Sequence, residues 1–272
     1  MNETIIMDSS DITDKKRGLT GSTIKLIALV TMFIDHFGAT IVEKYVMGMP
    51  PGQARNVWVI IYLIMRSIGR IAFPIYIFLL VEGLKYTRSR IKYLGRLIMF
   101  AFISEIPFDI ALNIYDMNDI KNWGLIEFGY QNVFFTLACG FAAIMCIDAV
   151  FNKLNNQALN KEKKATDIVI KVVITLAIGA IFAYLAWLLK TDYSVFGVIA
   201  IIVMYLVRRK PIVAMGATCV TLAISSIIEI VALVDMALIA KYNGEKGMNI
   251  KWLFYLFYPV HLLILGLIKL WM

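Results

Sequence analysis

The chain has 272 residues, of which 60% are hydrophobic and only 17% are charged, and its mean hydropathy is +0.77. Soluble domains carry about a quarter charged residues, so this much apolar surface cannot be hidden in one water-soluble core, and a soluble globular protein is excluded. The net charge of +8 is dispersed in short clusters between apolar runs rather than on a soluble face, which argues against nucleic acid as a partner.

Residues 1–22 form a polar N-terminal segment, with Asp8, Asp11, Asp14 and Lys15-Lys16-Arg17, and lack the apolar core of a signal peptide. The first apolar run, Ile24 to Val42, is long enough to cross a bilayer, and Thr20 or Ser22-Thr23 can cap its start. The second, Val57 to Leu84, is too long for one straight span. Gly69 and Pro74 interrupt it, which predicts an interfacial piece followed by a spanning helix. Further spans are predicted at Leu94–Ile114 (containing Pro107), Val133–Phe151, Ile168–Leu189, Val195–Val207, Ile212–Ala240 and Trp252–Leu270. Residues 23–272 therefore read as a single transmembrane domain, an all-α polytopic bundle of about eight spans. Cys139, Cys146 and Cys219 fall inside apolar runs and read as small buried hydrophobes.

Lys and Arg accumulate on the cytoplasmic side of membrane proteins. With eight spans, one set of loops holds Lys15-Lys16-Arg17, Lys85 to Arg96, Lys153 to Lys164 and Arg208-Arg209-Lys210. The other holds only Lys44, Arg55, Lys121, Lys190, Lys241 and Lys246. Both termini are accordingly expected in the cytoplasm, and the expected location is a cell membrane crossed many times, the bacterial cytoplasmic membrane.

Ionisable groups at membrane depth cost about 2.5–3.5 kcal/mol on insertion scales, so each one inside a span is a site candidate. Asp35 and His36 fall in the first span, Arg66 and Arg70 in the second stretch, Glu105 and Asp109 in the third span, and His261 near the middle of the last. Thr31 with Asp35, Arg66 with Arg70, and Glu105 with Asp109 are each four apart and share one helix face. Three such faces are expected to turn toward one another, the arginines and carboxylates neutralising one another around a wet cavity. The structural reading of the same residues is a set of inter-helical salt bridges. Glu82 fits that reading better, and Glu229 and Asp235 are expected to snorkel or to face outer-side water. Both histidines of the chain lie within spans. His36 is the stronger functional candidate, with Asp35, Glu105 or Asp109 as the carboxylate that sets its tautomer.

A histidine whose pKa lies near operating pH, beside carboxylates and arginines, suits acyl transfer to an amine or hydroxyl. It suits proton-coupled transport equally. Walker, dinucleotide, HExxH and GxSxG motifs are absent, and two histidines on separate spans do not make a metal site.

The run Lys25-Leu26-Ile27-Ala28-Leu29, Met32, Ile34-Asp35-His36 and Gly38 resembles the opening helix of the TraX family, named for the membrane protein that N-acetylates conjugative pilin. The resemblance continues through Ile68-Gly69-Arg70-Ile71-Ala72-Phe73-Pro74-Ile75, Phe78 to Gly83, Ile103-Ser104-Glu105-Ile106-Pro107-Phe108-Asp109 and Asn132-Val133. It closes with Tyr255, Phe257-Tyr258-Pro259 and His261-Leu262, and is weakest between Lys153 and Lys251. It implies a transmembrane acyltransferase with acetyl-CoA as donor and no metal. On that reading His36 and Asp35 are the catalytic pair, with Glu105 and Asp109 in support. Arg66, Arg70, His261 and Tyr258 bind substrate. Arg88, Arg90 and Arg96, with Lys92 or the Lys153–Lys164 loop, take the phosphates and adenine of CoA. The partners expected are the donor, an acceptor of unassigned class, membrane lipid and a homo-oligomeric copy.

Overall fold

The computed structural model describes residues 18–124, 126–157 and 164–272. The charged residues up to Arg17, and Lys161 and Lys163 of the expected donor loop, lie outside the described residues. The described chain is helical throughout, with two isolated backbone bridges and no strand.

Helix α1 (Gly21–Phe37) starts where the Thr20 hydroxyl accepts from the Thr23 N–H at 3.3 Å. It continues through a π-helical turn, Gly38–Val42, into the short α2 (Glu43–Met47). Helix α3 (Gln53–Gly69) and α4 (Ala72–Tyr86) form the interrupted second stretch. Pro74 has no N–H to give the carbonyl of Arg70, so the helix ladder opens between Gly69 and Ala72. Pro107 likewise precedes the π-helical turn Asp109–Asn113 that ends α5 (Arg90–Phe108). A seven-residue helix, α6 (Met117–Trp123), follows behind an Asp116–Asp119 capping box. Then come α7 (Val133–Gln157), α8 (Lys164–Leu188), α9 (Ser194–Val207), α10 (Pro211–Ala223), a 3-10 helix at Ile227–Val234, α11 (Asp235–Ala240) and α12 (Lys251–Trp271).

Five described segments are long and apolar enough to cross a membrane: Gly21–Met47, Gln53–Tyr86, Val133–Asn156, Thr166–Leu188 and Trp252–Trp271. Only 6% of the apolar window of α8 is buried inside the protein. Leu176 and Ile181 there are 67% and 64% exposed, a surface that water would not tolerate and lipid covers. The protein is a polytopic helical membrane bundle.

Two faces define the bundle. The basic face gathers Arg88, Arg90 and Arg208, the latter two joined to Asp148 at 2.7 and 3.8 Å. On the far face Lys269 Nζ donates to the Ala111 carbonyl at 2.8 Å, and Lys44 Nζ reaches the Lys269 carbonyl. The predicted span Ile212–Ala240 does not connect these faces. Cys219 Sγ lies 3.2 Å from the Ala232 carbonyl, and Gly216 packs on Met236. The residue numbers of each pair sum to nearly the same value, the register of an antiparallel hairpin turning near Ser225-Ser226. α10 therefore enters from the basic face, and the 3-10 helix with α11 returns to it.

This corrects the expected topology. Leu19 N–H donates to the Lys241 carbonyl and Gly21 N–H to the Glu245 carbonyl, each at 2.7 Å. Lys241 and Lys246 thus belong with the start of α1 on the basic face, not with the sparsely charged loops. Helix α12 then runs parallel to α1, and the C-terminus lies on the face opposite Leu19. The physical reason is that a hydropathy run of 29 residues is the same for a tilted span and for a hairpin, and polar Ser225-Ser226 is all that marks the reversal.

In a variant lacking Cys139, Cys146 and Cys219, an impermeant maleimide should label Lys246→Cys and Arg88→Cys from one side of sealed vesicles. Met47→Cys and Met272→Cys should label from the other side. Lys246→Cys reacting together with Met47→Cys would refute the hairpin.

Candidate functional site

Asp35 lies fourteen residues into α1, about 21 Å from its start at 1.5 Å per residue, where α3 breaks against it. Its carboxylate takes Arg66 Nη1 on Oδ2 at 3.0 Å, and Arg70 Nη2 at 2.9 and 3.0 Å on its two oxygens. The other end of Arg70 is also occupied. Its Nη1 donates to Glu229 Oε1 at 3.0 Å and to Tyr193 Oη at 3.4 Å, and its Nε donates to the Arg66 carbonyl at 3.1 Å. Tyr193 is held in turn by a stacked contact with Phe73, ring centroids 3.7 Å apart. Gly69 makes the approach of α3 to α1 sterically feasible, since a Cβ there would overlap the Asp35 side chain.

The second arrangement joins the first helix to the last. His36 Nδ1 is 2.7 Å from His261 Nε2, with the two rings stacked at 5.0 Å and tilted by 14°. His261 Nδ1 is 2.5 Å from the Phe257 carbonyl. A carbonyl can only accept, so His261 carries its proton on Nδ1, and its neutral ring presents a lone pair at Nε2. His36 must then donate from Nδ1, which leaves the His36 Nε2 lone pair unused among the described residues. His36 lines the cavity beside it, and Tyr258 packs edge-on to its ring at 5.7 Å.

The cavity has a volume of about 290 Å³. Asp35, Arg66, Arg70 and His36 form one wall. Glu43, Tyr62, Asn113, Tyr130 and Asp192 line the part toward the face opposite the basic one. The Tyr130 hydroxyl donates to Asp192. The site is a polar, partly hydrated chamber in an otherwise apolar bundle.

Of the residues expected from the sequence, Asp35, His36, Arg66, Arg70 and Tyr258 line this cavity, and His261 stands directly behind His36. Glu105 and Asp109 are not on its wall. Glu105 is bound by the Asn132 side-chain amide. Asp109 accepts from Asn113 Nδ2 at 2.7 Å and from the Glu127 N–H at 2.8 Å. Shared spacing put these two on one helix face, but that face meets α7 and the loop before it rather than Asp35. No carboxylate touches His36; a second histidine occupies that place. Glu229, expected to snorkel or face water, is instead 2% exposed and bonded to Arg70, because the hairpin carries it inward. Tyr193, Asp192 and Tyr130 lie outside the apolar spans read from the sequence and carried no signal there.

The residues expected to bind CoA lie on the basic face. α4 separates them from the cavity by about 21 Å, its fourteen rises. Arg90 is committed to Asp148 at 2.7 Å, and Arg96 lies over the Tyr93 ring at 5.5 Å. Arg88 is exposed.

The family described as TraX protein matches residues 20–269. A probable fimbrial assembly protein FimC, serogroup H1, of Dichelobacter nodosus is 28% identical over 265 residues, covering 89% of this chain and 92% of the relative. No solved structure gives a significant match.

Removing one partner from a buried ion pair costs about 3–5 kcal/mol because the other charge is stranded. Arg70→Ala, which strands Glu229, should cost that much in denaturation measured in detergent. Arg66→Ala should cost far less, because Asp35 keeps Arg70. Equal losses for the two variants would show that Arg70 is not the central cation. Gly69→Ala should destabilise by displacing Asp35, an effect that disappears if the site can yield sideways.

Proposed function

The chain belongs to the TraX family, a family linked to pilin assembly and acetylation, and on that premise we propose that it is an integral membrane acyltransferase. It moves an acetyl group from acetyl-CoA to an amine or hydroxyl of an acceptor. The observation that carries this reading is the unused His36 Nε2 lone pair on the wall of a cavity that also holds two arginines. A base within reach of an acceptor proton typically contributes 10²–10⁴-fold to rate.

In the reaction, the acceptor nitrogen or oxygen bonds to the thioester carbonyl carbon while its proton passes to His36 Nε2. The carbon–sulfur bond breaks, and the departing sulfur takes a proton. As His36 becomes cationic, His261 continues to accept from Nδ1, so the ring neither rotates nor loses its bond. Arg66, the more exposed of the two arginines at 28% of its side chain, is placed to offset charge on the carbonyl oxygen. Arg70 is fully engaged by protein and positions Asp35.

The basic face suits the phosphates of a CoA donor in kind: Arg88 is exposed and makes no ion pair among the described residues. With Lys and Arg concentrated there, we place that face in the cytoplasm of a bacterial inner membrane. The cavity then lies toward the outer side, where the acceptor enters. Arg90 is a poor phosphate ligand while Asp148 holds it, which leaves Arg88 with Lys92 and Arg209 for the role. The hairpin and the broken α3–α4 junction are also features of secondary transporters, so proton-coupled transport through the same cluster is the second reading.

Detergent-purified protein should bind acetyl-CoA with micromolar affinity in calorimetry. It should then acetylate members of a panel of free-N-terminus peptides and glucosamine. His36→Ala should retain donor affinity within about twofold and lose transfer by roughly 10² or more. Absence of binding at millimolar donor, in protein shown to be folded, would reject the reading. Proteoliposome flux without donor would then favour transport.

A further inference from the structure

A second, smaller cavity adjoins the first. It has a volume of about 30 Å³ and shares Met32, Tyr76, Val133 and Tyr258 with the wall of the main chamber. Its remaining lining is apolar: Phe134, Leu137 and Phe254.

Its position follows from helix arithmetic on four elements at once. Met32 precedes His36 by four residues on α1, and Phe254 precedes Tyr258 by four on α12. Tyr76 follows Ala72 by four on α4, and Leu137 follows Val133 by four on α7. Four residues are one turn, about 6 Å. α1 and α12 rise from the basic face while α4 and α7 descend to it, so every one of these steps leads toward the basic face. The small cavity is therefore the floor of the main chamber, one turn below the His36 ring on the side from which a donor comes. The Tyr76 hydroxyl donates to Met32 Sδ at 3.3 Å, which pins two of its walls and fixes its size.

Resting on the acyltransferase reading above, we propose that this floor is the acyl subsite of the enzyme and limits the donor to a two- or three-carbon acyl group. A water-sized group needs about 10–15 Å³ of such space. The cavity thus takes a methyl or an ethyl, with no room for a propyl. The apolar lining suits a hydrocarbon end, while the carbonyl stays above in the polar chamber beside His36 and Arg66. The chemistry is unchanged by the subsite: the same carbon–sulfur bond breaks, and only the length of chain that reaches His36 is selected.

The test uses the full chain in detergent with free CoA and with acetyl-, propionyl-, butyryl- and hexanoyl-CoA, measured by calorimetry. Acetyl- and propionyl-CoA should bind alike, and butyryl-CoA should bind roughly tenfold more weakly, the usual discrimination for one excluded methylene. Leu137→Ala or Phe254→Leu should restore butyryl-CoA binding to within about threefold of acetyl-CoA. Leu137→Phe should weaken acetyl-CoA toward the affinity of free CoA. Binding of all four thioesters with equal affinity, or a cut-off unmoved in both enlarged variants that remain monodisperse, would show a packing void only and overturn the subsite alone. Binding of no acyl-CoA by the wild type would overturn the subsite and the acyltransferase reading together.

Discussion

A guanidinium placed between two buried carboxylates, Asp35 on one side of Arg70 and Glu229 on the other, holds together three parts of the chain with no sequence continuity. In water such an arrangement would contribute little, since each ion already has good solvation. In an apolar bundle each ion lacks that solvation, so separating any partner strands a charge. The clamp ties the hairpin to α1 across the break between α3 and α4. The broken junction lets the Arg70 side chain reach in both directions, and Gly69 brings it close enough. Its main contribution is to specify one arrangement, because the alternatives leave a carboxylate unpaired in hydrocarbon.

The histidine pair depends on the same frame in a different way. Neither ring gains a countercharge from its partner, so their hydrogen bond rests on tautomer matching alone, with the Phe257 carbonyl setting the direction of donation. That direction holds only while α12 runs parallel to α1, and it does so because the hairpin brings the chain back to the basic face before α12 starts. The hairpin thus supplies a clamp residue and also sets the sense of the last helix. Topology and site geometry are coupled through one turn at Ser225-Ser226.

Much of this was legible from residue types and spacing. Asp35, His36, Arg66 and Arg70 stood out because a charge inside an apolar run needs a reason, and four-residue spacing puts each pair on one face. The same spacing misled for Glu105 and Asp109: periodicity states which residues share a face, not what that face meets. Asn132 and the backbone of Glu127, both distant in sequence, claim those carboxylates. Glu229 was visible as an ionisable residue, but its depth depends on the reversal of the chain, to which hydropathy is blind. The pairing of His36 with His261 had one faint signal, that both histidines of the chain lie in spans.

The two rings that meet in this site are 225 residues apart in the chain. At cotranslational rates of about 5–20 residues per second, His36 waits roughly 10–45 seconds before its partner is even synthesised. A chain cut short at any point before α12 has a histidine and a clamp but no carbonyl-anchored ring to orient the base. Completion of the polypeptide is therefore itself the step that arms the site, and stalled or truncated products are left chemically silent in the membrane.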